Sequence, residues 1–144
     1  MNSFTGDETL TVFVDTGIFV ALRNADDEFH TRSKELMKRA LKGEFGRIYT
    51  SDYVIDEAIT TALVMTGRHD LAVDIGEFII KSPRITKLWT TKDVFADAWE
   101  KFKKYKDKPL SFSDCVSLAF MKKNKIQQIM SFDSGFNAFA RRIH

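Results

Sequence analysis

Four acidic residues stand where a parallel α/β chain places its chemistry. Asp15 directly follows the β-branched and aromatic run Thr11 to Val14. Asp133 follows a later run of strand character, Gln127 to Ser131, with Phe132 between. Open parallel sheets bind ligands beyond the carboxyl ends of their strands, near a reversal of strand order. Glu57 lies about a turn into the helix expected after the second strand. Asp114 lies in the first turn of the apolar helix expected before the fourth strand. If the four converge, they make a dense acidic pocket with no obvious internal cation. Crowded carboxylates repel unless protonated or bound to a cation. Oxygen donors alone favour a hard ion, Mg²⁺ or Mn²⁺. Such an ion makes bound water nucleophilic and shields a charged phosphate, which is the chemistry of phosphodiester hydrolysis.

Each carboxylate also has a plainer explanation. Asp15 can be the N-cap of the following helix. Asp114 can be the acidic member of a Ser111-x-x-Asp114 capping box. Asp133 can cap the last helix or sit in the Asp133-Ser134-Gly135 turn. Glu57 and its neighbour Asp56 can be solvated helix positions. These two point about 100° apart on a helix, so only one of them faces a pocket.

The elements that must position these groups alternate between strand and helix. Thr11 to Val14 reads as the first strand, with a short helix through Ile18, Phe19 and Leu22. Leu36, Met37, Ala40 and Leu41 repeat at helical spacing and end at Gly43. Arg47 to Thr50 reads as the second strand. Ser51 or Asp52 caps the next helix, which carries Val54, Ala58 and Met65 and closes at Gly67. Leu71, Ile75, Phe78 and Ile79 form another apolar stripe, and Pro83 breaks it. Ile85 to Trp89 reads as the third strand. Thr90 with Asp93 resembles a capping box, and Phe95, Trp99 and Phe102 give the stripe of the helix that follows. Lys106 to Leu110 is a polar loop. Ser111 to Lys123 is a helix apolar on most sides, as expected of one buried centrally. Gln127 to Ser131 is the fourth strand, and a helical turn at Phe136 to Phe139 precedes a possible short edge strand at Arg141 to His144. Alternating strands and helices predict an α/β fold with a mainly parallel sheet. A polar lead, residues 1–9, precedes one domain, residues 10–144.

Composition bounds the function classes. The chain has 144 residues, 44% of them hydrophobic and 29% charged. One cysteine excludes an intramolecular disulfide framework and a cysteine-built zinc site. No run is long and apolar enough to span a membrane, and the start lacks the pattern of a signal peptide, so a cytoplasmic protein is expected. Cys115 then reads as a small buried apolar residue. The net charge of +2 hides an asymmetry. Residues 1–100 carry 12 basic and 17 acidic side chains, whereas residues 101–144 carry 10 and 3. A local anion-binding surface in the C-terminal third suits a phosphate backbone. Within it, Lys104, Lys106 and Lys108 precede the Asp114 helix and are candidate contacts to such a backbone, with Tyr105 as a packed or stacking residue between them. His30, His69 and His144 lack partner motifs and read as surface or satisfied histidines.

Taken in order, these motifs resemble those of the PIN-domain ribonucleases, which include the toxins of VapBC toxin–antitoxin pairs. Val12-Phe13-Val14-Asp15-Thr16 is similar to the opening motif, and Tyr53 to Thr61, around Glu57, to the second. Leu110-Ser111-Phe112-Ser113-Asp114 is similar to the third. Ser131-Phe132-Asp133, with Phe136 three residues on, is similar to the fourth. The resemblance runs from about Leu10 to the end of the chain. It implies a three-layer α/β/α sandwich with sheet order 3-2-1-4-5, the fifth strand short or absent here. It implies Asp15, Glu57, Asp114 and Asp133 as the catalytic acids, with Asp15, Asp114 and Asp133 holding Mg²⁺ or Mn²⁺ and Glu57 preferred over Asp56. Thr16 and Ser131 are implied as supporting hydroxyls. The implied activity is metal-dependent RNA hydrolysis leaving 5′-phosphate and 3′-hydroxyl ends. The implied partners are an RNA substrate, a small antitoxin and a second copy of the chain.

Two readings of other kinds stay open. One is a non-cleaving module on the same fold that holds RNA or protein; another is a housekeeping RNA-processing nuclease. A phosphoryl-transfer enzyme is disfavoured. Gly17 stands where a second aspartate of an Asp-x-Asp phosphatase motif belongs, and there is no phosphate-binding Gly-x4-Gly-Lys-Ser/Thr loop.

Overall fold

The computed structural model describes residues 10–144; the expected polar lead, residues 1–9, lies outside the described residues. The order is β1 (Thr11–Val14), α1 (Thr16–Arg23), α2 (His30–Leu41), β2 (Arg47–Ser51), α3 (Asp52–Thr66) and α4 (His69–Lys81). It continues with β3 (Ile85–Leu88), α5 (Lys92–Lys104), α6 (Phe112–Lys123), β4 (Gln128–Met130), a 3₁₀ turn (Ser134–Ala138) and β5 (Arg141–Ile143). The five strands form one sheet in the order β3-β2-β1-β4-β5. Every neighbouring pair is parallel. Parallel neighbours require crossover connections, and the helices supply them. The fifth strand is present and short: three residues, paired with β4.

The chain runs outward from β1 to β2 and β3, then returns to the other side of β1 as β4. The reversal therefore falls between β1 and β4. The Asp15 N–H donates to the Met130 carbonyl at 3.0 Å, carrying that ladder one step beyond the strand. This fixes the ends of the two strands side by side.

Local signals explain most boundaries. The Ser51 hydroxyl accepts the Val54 N–H and caps α3. Gly67, at φ 68°, closes the same helix in the left-handed region. Ser111 and Asp114 form the expected capping box at the start of α6. Gly46, at φ 80°, passes so close to the chain at Leu10 that a Cβ there would lie 1.9 Å from the Leu10 carbonyl oxygen.

The core lies on both faces of the sheet. Val12, Phe13, Val14, Ile129 and Met130 are fully buried. Packing on either side are α1 with α2, α3 and α4, and separately α5 with α6. Helix α6 buries every residue from Cys115 to Met121, as its all-round apolar sequence predicts. Burial also pushes the Cys115 thiol pKa up, so this residue is a packing group. No described helix is long and apolar enough to cross a membrane.

Two local expectations are corrected, and the packing of one helix stripe is defined. Helix α5 is capped at Thr91, one residue later than expected, and the Thr91 hydroxyl donates to the Asp93 side chain. Thr90 instead ties the β3–α5 connection to Asp52, through its N–H at 3.1 Å and its hydroxyl at 2.7 Å. The stripe of Phe95, Trp99 and Phe102 does not enter the core; the buried residues of α5 are Val94 and Ala98. These small side chains, one turn apart, let α5 lie close against α6. The three larger rings gather around Phe112, with centroids 5.1–6.4 Å away. Strands β3 and β4 are also shorter than expected, because Trp89, Gln127 and Ser131 fall outside them.

Candidate active site

Asp15 is the N-cap residue of α1 by position, but its side chain makes no cap bond. The carboxylate accepts instead from the Ser131 hydroxyl, Oγ to Oδ2, at 2.7 Å. The same Ser131 oxygen accepts the Asp133 N–H at 3.0 Å. Ser131 is fully buried. One hydroxyl thus pins the end of β1 to the end of β4. Its backbone is held too: the N–H donates to Ile143, and the Ser131 carbonyl accepts from Arg142 at 3.1 Å.

Glu57 faces the same region from the second turn of α3. Its Oε1 accepts from the Thr16 hydroxyl at 2.6 Å, with the Ser113 hydroxyl at 3.5 Å. Its neighbour Asp56 is exposed, and its nearest hydrogen-bond partner is Thr60 on its own helix. The geometry therefore separates the two: Glu57 turns inward and Asp56 outward.

Asp114 and Asp133 fulfil their plainer explanations and face the site as well. Asp114 Oδ2 accepts the Ser111 N–H at 3.0 Å, while the Ser111 hydroxyl accepts the Asp114 N–H at 3.0 Å. Asp133 Oδ1 accepts the Gly135 N–H at 2.8 Å and caps the 3₁₀ turn. Both also line a cavity of about 430 Å³ together with Asp15, Thr16 and Glu57. The four candidate acids and one of the two supporting hydroxyls are thus brought together. Ser131 stands behind Asp15 in the wall.

The electrostatics are those of an uncompensated acidic cluster. Burial pushes the Asp15 pKa up to about 6, with the charges of Asp114 and Glu57 adding to it. The Ser131 hydrogen bond and the Thr16 backbone N–H pull the other way without cancelling it. Asp114 is also raised, first by burial and then by Asp133 and Glu57. No ion pair among the described residues includes any of the four.

This donor set suits a hard divalent cation: it is all oxygen, negatively charged and unneutralised. Among the described residues, no three Asp, Glu, His or Cys side chains stand close enough together, as placed, to hold a metal ion between them.

Several lining residues were not anticipated. Gly17, Ser111 and Phe132 border the cavity. Arg142, expected only as part of a basic run, holds the Ser131 carbonyl and the Asn137 side-chain oxygen. Its role depends on the pairing of β4 with β5, which residue types alone do not specify. Lys104, Lys106 and Lys108 do not line the cavity. Lys104 lies over the Tyr105 ring at 5.2 Å, and Tyr105 packs edge-on against Phe139, so this tyrosine is a packed one. His30 is satisfied, with Nδ1 2.8 Å from the Ala21 carbonyl oxygen.

Comparison with known proteins agrees with this geometry. The PIN domain family matches residues 12–142. A 23S rRNA-specific endonuclease, VapC20 of Mycobacterium tuberculosis, is 30% identical over 128 residues, covering 88% of this chain and 92% of that protein. Its crystal structure, described as that of a sarcin-ricin-loop-cleaving toxin, matches with a TM-score of 0.78 over 88% of this chain and 93% of that one. A VapC ribonuclease of Archaeoglobus fulgidus is 26% identical over 129 residues, 89% of this chain and 80% of that protein. VapBC2 of Rickettsia felis, solved on a DNA fragment from its promoter, shares the fold at 10% identity and a TM-score of 0.63, covering 93% of this chain and 98% of that one. The sheet order, the matched span and the relatives agree, and the chain belongs to the PIN-domain family, among its VapC-like ribonucleases.

Proposed function

We propose that this protein is an endoribonuclease of the VapC toxin type, hydrolysing RNA phosphodiester bonds at the Asp15, Glu57, Asp114 and Asp133 cluster. One observation carries the reading: four carboxylates from four separate segments border one cavity, and no described ion pair neutralises any of them. A bound Mg²⁺ or Mn²⁺ would supply an acidified water and charge neutralisation for the phosphate. Asp15, Asp114 and Asp133 would hold it, directly or through water. Ser131 orients Asp15 through its 2.7 Å hydrogen bond, so the carboxylate presents its remaining lone pairs to the cavity. Thr16 occupies Oε1 of Glu57, which leaves Oε2 to orient the attacking water and accept its proton. Attack in line on phosphorus breaks the P–O3′ bond, and the leaving 3′ oxygen takes a proton from solvent water, which leaves a 5′-phosphate and a 3′-hydroxyl.

The partners belong to the same proposal. A small antitoxin that covers the site and a second copy of the chain are the expected protein partners, in the cytoplasm. Lys104, Lys106 and Lys108 are proposed as outlying contacts to the RNA backbone, on charge alone.

The test is cleavage of defined RNAs by wild type and Asp15→Asn together, with Mg²⁺, with Mn²⁺ and with chelator. Cutting by wild type that needs the ion and is lost in Asp15→Asn is expected. Full activity in a clean Asp15→Asn preparation would overturn the mechanism. Absence of cutting by wild type across varied RNAs with Mn²⁺ would instead point to a non-cleaving binding module.

A further inference from the structure

An aromatic residue lining the acidic cavity and a second ring stacked on it have no role in the mechanism above. Phe132 stands between Ser131 and Asp133 and lines the cavity. Phe29, in the turn before α2, lies flat on it, with centroids 4.3 Å apart and planes 14° apart. Phe29 remains 40% exposed, and Phe132 is its only aromatic partner among the described residues.

The position of Phe29 is set by its backbone. Its N–H donates to the Asp27 side chain at 2.9 Å, and its carbonyl accepts the Ser33 N–H at 2.8 Å. The turn itself carries Asp26, Asp27 and Glu28. A phosphate is repelled there, whereas a neutral flat group is not. An exposed aromatic face beside a phosphate-hydrolysing centre, in surroundings that reject anions, suits one part of a nucleic acid: the base.

We propose that Phe29, backed by Phe132, is a nucleobase subsite that seats a base of the RNA beside the phosphate to be cleaved. The proposal rests on the RNA-cleaving reading for the identity of the ligand. The two rings act as positioning residues and take no part in proton transfer.

The experiment measures binding without turnover, in the Asp15→Asn protein with Mg²⁺ present. The probes are a single-stranded RNA oligonucleotide and the same sugar–phosphate chain with its bases removed, followed by fluorescence anisotropy. Phe29→Leu keeps an apolar side chain but cannot stack. It is expected to weaken binding of the intact RNA about fivefold or more and to leave the abasic chain unchanged. Phe29→Trp is expected to restore or exceed the original affinity for intact RNA. Equal losses on both probes, no loss on either, or failure of Phe29→Trp to restore base-dependent binding would overturn the subsite. The nuclease reading is judged separately by cleavage in wild type. A chain that cuts nothing yet shows the base-dependent effect would keep the subsite and lose the nuclease.

Discussion

Asp114 and Asp133 each give one carboxylate oxygen to a backbone N–H and still border the acidic cavity. Their structural and chemical roles separate by substitution. Asp114→Asn keeps an oxygen for the Ser111 N–H but removes the charge. It is expected to lose cleavage with a melting temperature close to that of wild type. Asp114→Ala loses both, and calorimetry should show a further loss of about 1 kcal/mol from the broken capping box. Asp15 behaves differently, because it has no cap bond to compensate its burial. A carboxyl whose pKa is raised to about 6 on folding holds its proton more tightly folded than unfolded. Its contribution is nil below about pH 4, grows unfavourable as pH rises from about 4 to 6, and stays so above 6. Asp15→Asn in chelator is therefore expected to be more stable than wild type at neutral pH, by on the order of 1–3 kcal/mol. Equal melting curves would show that the unoccupied cluster costs nothing. Asp15, Asp114 and Asp133 stood out in the sequence because each lies at an element end, whereas Glu57, a turn inside α3, was singled out by the family resemblance. The pairings of Ser131 with Asp15 and Thr16 with Glu57 were not legible, since they span residues far apart in the chain.

Elements explain why the site assembles only when the sheet is in register. Pairing of β1 with β2 starts where Gly46 approaches the Leu10 carbonyl. An alanine at position 46 suffers both the left-handed backbone and a collision with that carbonyl; an alanine at position 43 suffers only the first, because nothing lies near it. Gly46→Ala is expected to cost at least about 2 kcal/mol more than Gly43→Ala, read as a difference in chemical denaturation midpoints. Similar costs would show that the chain at Leu10 gives way freely. Helix succession and most caps were legible from periodicity and capping residues, whereas the strand order was implied only by the family resemblance. What the stripe on α5 packs against was not legible, for a definite reason. Periodicity shows that Phe95, Trp99 and Phe102 share a side, but not that the smaller Val94 and Ala98 permit a closer approach to α6. Likewise Phe29 and Phe132 are 103 positions apart, and no local signal brings them together.

For the molecule as a whole, the small net charge is the sum of two separated fields. The acids of the site cluster at one cavity, and part of the basic C-terminal third is neutralised locally. Lys101 pairs with Asp97, Lys103 with Glu100 and Lys123 with Asp93. Lys104, Lys106 and Lys108 take part in no ion pair among the described residues. If they contact the RNA backbone, replacing all three by alanine weakens binding evenly across sequences. It also lowers the slope of log affinity against log salt by up to about 2. Titrations of wild type and variant across a salt series measure this. An unchanged slope would remove these lysines from the contact surface.

The double duty of Asp114 and Asp133 has a consequence for how such a chain decays. Relaxed selection on catalysis would still leave both under selection for folding, since each satisfies a backbone N–H. Asp15 would be the first to drift, because its replacement relieves a folding penalty. In a diverged descendant, intact third and fourth motifs would therefore say little about activity. The residue worth inspecting is the one at position 15.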